Sequence, residues 1–238
     1  MTIEEMHYDV KMKLNKIDTQ QYKNLLIPEI DWKLNEGAEL FVKIVANPRL
    51  KDNLGFETSQ RSIDDIRPLV VTPDTDPSAC IAVVGDNVTL PSDYWHFIKA
   101  DVLMDKGSCK DVRARFYPRQ HDDEFENSPF DKSSFEWRTV NGVFNKNGVK
   151  LYTDNTFSIT SFCLSYLKKL TYIHNAKDFR GGQYRLPSGT LLTGSVNCEL
   201  PEHTHREIVD IAVLLITGEI QMPDYQIKLN KLGLNNLK

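Results

Sequence analysis

The chain has no Cys-x-x-Cys pair, no phosphate-cradling glycine loop and no apolar run long enough to cross a bilayer. The Gly-x-x-x-x-Gly-Lys, Gly-x-Gly-x-x-Gly, His-Glu-x-x-His and Gly-x-Ser-x-Gly patterns are all missing. With them go the usual sequence marks of nucleotide, zinc-peptidase and serine-hydrolase chemistry. After residue 200 the longest strictly apolar run is Ile211 to Ile216, far short of the roughly 20 residues a membrane helix needs. The start, Met-Thr-Ile-Glu-Glu-Met, lacks the basic-then-apolar pattern of a signal peptide. Positive charge is in deficit too: 29 Lys and Arg face 33 Asp and Glu, which argues against general affinity for nucleic acid or anionic membranes. Four well-separated cysteines, Cys80, Cys109, Cys163 and Cys198, read as free thiols in a reducing cytoplasm.

What is present is enough for a sizeable core, with 40% hydrophobic residues in 238. Ile3, Met6, Val10 and Leu14 keep helical spacing on one face. A short helix is expected after Asp18-Thr-Gln-Gln21, which reads as a capping box. Pro28 suits the first turn of a third helix, with Glu29 and Asp31 at its positive end. Its apolar stripe is Ile30, Leu34, Gly37, Ala38, Phe41 and Val45, and Asn47-Pro48 stops it. Gly37 in mid-helix predicts close packing on another backbone. A further helical turn is expected at 62–66.

Between about 68 and 175 the pattern changes to β-branched and aromatic runs: 69–71, 80–84, 95–104, 112–117, 137–144 and 157–173. Gly85-Asp-Asn87 and Asn145-Lys-Asn-Gly148 are turn signals, while 119–134 reads as a long polar loop. Gly181-Gly182 and Pro187-Ser-Gly189 mark another loop. From Pro201 to Ile216 one more helix has a polar entry and a body apolar nearly all round, so it must be enclosed. The expected architecture is α+β: N- and C-terminal helices form a helical body with an inserted, mainly antiparallel β domain and an extended C-terminal arm. The expected divisions are 1–67 helical, 68–199 β-rich, 200–218 closing helix and 219–238 arm. Leu229, Leu232, Leu234 and Leu237 give that arm apolar contacts to offer.

Chemistry is thin. His203 and His205 lie two apart on a helix and therefore diverge, so they read as a solvated helix entry and not a metal site. His121-Asp-Asp-Glu124 lacks the alternating ligands and turn glycine of a calcium loop. Lys168-Lys169 with Tyr166, Tyr172 and His174 could contact nucleic acid, but a strand with exposed lysines is the plainer reading. Tyr94-Trp95 is either core or a contact between subunits. No catalytic residue, cofactor or metal ligand is assigned, and the chain is read as non-enzymatic.

Four patches together resemble virion proteins of the crAss-like podoviruses, tailed phages of gut Bacteroidetes. They are Ile27-Pro-Glu-Ile-Asp-Trp-Lys-Leu-Asn-Glu-Gly-Ala-Glu-Leu-Phe41, Leu90-Pro-Ser-Asp-Tyr94, Leu164-Ser-Tyr-Leu-Lys-Lys-Leu-Thr-Tyr-Ile173, and Leu200-Pro-Glu-His-Thr-His-Arg-Glu-Ile-Val-Asp-Ile-Ala-Val213. The wider group is the head-to-tail connector, or adaptor, ring proteins below the portal. The resemblance implies a ring, typically of twelve copies, that docks on the portal and on other ring or tail proteins. Viral DNA would only pass through its channel, with no membrane anchor, and the location would be the head–tail junction of a virion assembled in the bacterial cytoplasm. Subunit-interface candidates are then Ile30, Phe41, Tyr94, Trp95, Ile208, Ile211, Leu215, Tyr225, Leu229 and Leu232. Two other readings stay open: a different tail-hub or baseplate component, and a non-viral cytoplasmic binding module.

Overall fold

The computed structural model describes residues 1–15, 25–46, 64–120, 131–146 and 148–219. Two compact units emerge, and the fold is α+β. One unit combines Met1–Pro68 with Leu170–Lys238; the other is Leu69–Lys169.

Among the described residues the helical unit is built on three long helices: α1 (Ile3–Asn15), α2 (Ile27–Ala46) and α3 (His205–Glu219). Reciprocal bonds cap α1: the Glu5 amide donates to Thr2 Oγ1 (3.3 Å) and the Thr2 amide to Glu5 Oε2 (2.9 Å). Ile3, Met6, Val10 and Leu14 are all buried, as their spacing predicts. In α2 the inward stripe runs from Ile30 to Val45, and Phe41 is among the largest fully enclosed side chains. α3 packs against both other helices. Its all-round apolarity is therefore satisfied inside its own chain. Gly37 is where α2 and α3 touch: a Cβ there would lie 3.1 Å from the Ile208 carbonyl oxygen and 3.2 Å from the Ala212 nitrogen. A helical turn at 64–66 passes into a 3-10 turn, Arg67–Leu69. The capping signal at 18–21 and the stop at Asn47-Pro48 lie outside the described residues, as does the arm beyond Glu219.

Residues 170–199, grouped with the β domain in the sequence reading, pack with the helices.

The β unit holds β1 (Val70–Val71), β2 (Cys80–Ala82), β3 (Asn87–Val88), β4 (Tyr94–Lys106), β5 (Cys109–Arg119), β6 (Thr139–Asn145), β7 (Gly148–Tyr152) and β8 (Ser158–Lys168). In the helical unit follow β9 (His174–Asn175), β10 (Gln183–Arg185), β11 (Leu191–Thr193) and β12 (Ser195–Val196), paired β9 with β12 and β10 with β11. The large sheet runs β1-β8-β4-β5-β6-β7-β3, with β2 also on β8. All of its pairs are antiparallel except β5–β6. β2 lies beside β1 along one edge of the sheet, on β8, and β3 is the other edge, on β7, so the turn between them joins the edges. Val84 and Asn87 exchange both backbone hydrogen bonds there, around Gly85 at φ 65°. The sheet thus curls round an apolar interior. Alternate side chains fill it: Val102, Met104 and Leu164 are fully buried, and Phe116 meets Phe162 edge-on with ring centres 5.1 Å apart.

Two expectations need correction. Cys80 and Cys163 are joined in a disulfide, not free. They are 83 residues apart, but the β2–β8 register sets them directly opposite each other. Cys109 and Cys198 are free, and burial pushes the Cys198 thiol up to about 11. The second correction concerns 137–144: the strand starts at Thr139, because Trp137 and Arg138 form a turn with Arg138 at φ 53°.

Blocking free thiols with iodoacetamide in denaturant should label two cysteines without reductant and four after reduction, as counted by mass spectrometry. Reduction should also lower the unfolding free energy by roughly 2–4 kcal/mol in urea titrations. Gly148→Ala should cost roughly 3 kcal/mol or more, since φ is 146° and the new Cβ would lie 1.9 Å from the Val88 carbonyl oxygen.

Candidate functional site

Helix α2 turns two neighbouring residues in opposite directions. Asp31 points inward and has 0% exposure; Trp32 points outward and is 49% exposed. A carboxylate so enclosed must be met by donors. His7 Nε2 of α1 donates to Asp31 Oδ1 at 2.7 Å, and the Tyr184 hydroxyl of β10 to Oδ2 at 2.7 Å. The Asn175 amide of β9 donates to both oxygens, at 3.2 and 3.1 Å. One turn later Asn35 continues the clasp: its amide nitrogen donates to the Ile173 carbonyl, and its side-chain oxygen accepts from the Ile173 amide at 2.8 Å. Burial and then the Asp31 charge push the Tyr184 and Tyr172 hydroxyls above the ordinary tyrosine range. The cluster binds α1, α2, β9 and β10 together. His7 is itself buried, so nothing dissolved in water meets this pair.

On the outer side of the same turn lies a groove of about 520 Å³. Its apolar surface comes from Leu25, Pro28, Trp32, Leu186, Pro187 and Ile216; Glu29, Lys33, Arg185 and Glu219 supply its charges. Tyr184 serves both places, with its ring in the groove and its hydroxyl on Asp31. Lys33 bridges Glu36 (2.8 Å) and Glu219. Burial works against its charge, yet hydrogen bonds to Glu219 and Glu36 hold its pKa above the ordinary value. A flat indole in an apolar trough with a charged rim is suited to holding a peptide or another apolar surface.

The sequence-derived candidates distribute unevenly. Ile30, Phe41, Ile208 and Ile211 are buried in the helical unit's own core. Tyr94 and Trp95 are half-buried on β4, with Trp95 stacked on His96 at 4.9 Å, and Leu215 is half-buried on α3. Tyr225, Leu229 and Leu232 lie outside the described residues. The two helix-entry histidines do diverge: His203 bonds Asp65 at 2.6 Å, while His205 reaches the Leu200 carbonyl at 2.8 Å. Among the described residues no group of three or more His, Cys, Asp or Glu could hold a metal ion. The His121–Glu124 segment is outside them. Tyr166 is buried and donates to Asp93 at 3.0 Å, so its ring offers no stacking surface. Trp32 and the groove were missed, because on a sequence Trp32 is one more apolar residue beside a buried stripe.

Asp31→Ala would leave His7, Tyr184 and the Asn175 amide without their acceptor. Urea titration should show a loss of roughly 3 kcal/mol, against roughly 1 kcal/mol or less for the exposed Asp74→Ala. Set beside known proteins, the chain matches no family model and no curated sequence.

Proposed function

We propose that the chain is a structural subunit of a head-to-tail connector ring, docking below a portal and leaving a channel for DNA. The observation that carries this reading is the apolar surface left on the helical unit. Tyr8 (67% exposed) and Met12 stand out on α1, Leu26 just before α2, Trp32 on α2 in the groove, and Leu191 on β11. α3 is covered from within, so among the described residues these side chains are the prominent apolar surface on offer to a neighbour. Large exposed aromatic residues of this kind are common anchors of protein interfaces. The four short patches that resemble crAss-like connector proteins give the reading its viral context. In this proposal the segment 219–238 is an arm that grips an adjacent subunit or the portal.

Native mass spectrometry of the purified chain, alone and mixed with a portal protein, tests the proposal. A twelve-copy ring of the 27.3 kDa chain would weigh about 330 kDa. A threefold or sixfold assembly would point instead to a tail hub. A monomer indifferent to the portal would sink the connector reading. Trp32→Ala should weaken assembly about tenfold or more while leaving the melting curve in place.

A further inference from the structure

On the β unit, β5 carries Arg113, Arg115 and Tyr117 on its outer face, alternating with Val112, Ala114 and Phe116 on the core side. Side chains two apart on a strand share a face and recur about every 7 Å. At Arg115 this row meets the Trp137–Arg138 turn, for the Arg115 amide donates to the Arg138 carbonyl at 2.9 Å. Trp137 is 81% exposed and Tyr117 41%. Among the described residues the guanidinium groups of Arg113, Arg115 and Arg138 find no hydrogen-bond or ion-pair partner. Arg119, next along the strand, is engaged differently, with Asn141 at 3.2 Å and Asp131 at 3.8 Å. The acids nearest the row among the described residues are Asp101, the cross-strand partner of Arg115, Asp111, two residues before Arg113, and Glu136, which precedes Trp137.

We propose that this patch, Arg113, Arg115, Tyr117, Trp137 and Arg138, binds single-stranded nucleic acid. Three unpaired guanidinium groups call for several anionic oxygens within a short span, which a phosphate backbone supplies. The two exposed rings call for flat partners, and unpaired bases present such faces whatever their sequence. A duplex hides its bases and would use only the arginines. The acidic net charge of the chain does not oppose this, because the patch is local and its field is felt within about 10 Å at ordinary salt. The proposal is independent of ring assembly.

The test is fluorescence anisotropy of a labelled fifteen-residue oligothymidylate with the full chain at several salt concentrations. Three neutralised phosphates predict a log–log salt slope of about −2. Arg113→Ala/Arg115→Ala should weaken binding at least tenfold and flatten the slope to about −0.7. Trp137→Ala should weaken binding about tenfold at unchanged slope, and all variants should melt like the parent chain. The proposal fails if the oligonucleotide does not bind, or if the arginine variant binds as well as the parent. It fails too if Trp137→Ala has no effect, or if polyglutamate of equal charge competes as well as unlabelled oligonucleotide. The last result would mark the patch as a site for an acidic protein segment.

Discussion

A charged oxygen pair with no exposed surface is the constraint on which the helical unit turns. The Asp31 carboxylate is fully met by donors there only while His7, Tyr184 and Asn175 all keep their places. Those partners come from three separate stretches of chain. Each is fixed by the same acceptor, so displacing one strand or helix uncovers the charge for all. The apolar stripes of α1, α2 and α3 drive the unit together, but apolar contact is non-directional. The carboxylate supplies direction, since only one arrangement meets both oxygens. It also fixes the first turn of α2, and thereby the outward angle of Trp32 over its groove.

The β unit obtains order in a different way. Its long strands, β4, β5 and β8, supply most of the ladder, yet the closing strands are two or three residues long. Such short pieces have few hydrogen bonds with which to hold a register. Two local devices stand in: the Cys80–Cys163 bond ties β2 to β8, and Gly148 lets β7 come so close to Val88 that no side chain fits between.

Much of this was legible in residue order, wherever the governing physics is local. The stripes of α1 and α2, the close contact at Gly37 and the turn at Gly85 all follow from spacing and from glycine. Features set by partners distant in the chain were hidden. Cys80 and Cys163 look like two isolated thiols until the strand register makes them face. Asp31 reads as an acid at the positive end of a helix, which is true, but nothing local says that Tyr184 and Asn175 will close over it. The apolar girth of α3 called for enclosure among the N-terminal helices, and α1 and α2 supply it. In the candidate groove, Trp32 and Ile216 come from different helices and Leu186 from a loop, so only the assembled unit brings them to one surface.

The β unit begins and ends side by side. Its first strand pairs with the end of its last, Val70 opposite Leu167, so about a hundred residues begin and end roughly 5 Å apart. To the helical unit this long excursion is entropically a short loop whose ends are already tied. The β unit is in that sense a cassette. Its sequence can lengthen, shorten or be exchanged over evolutionary time at little cost to its host, so long as the two ends still meet.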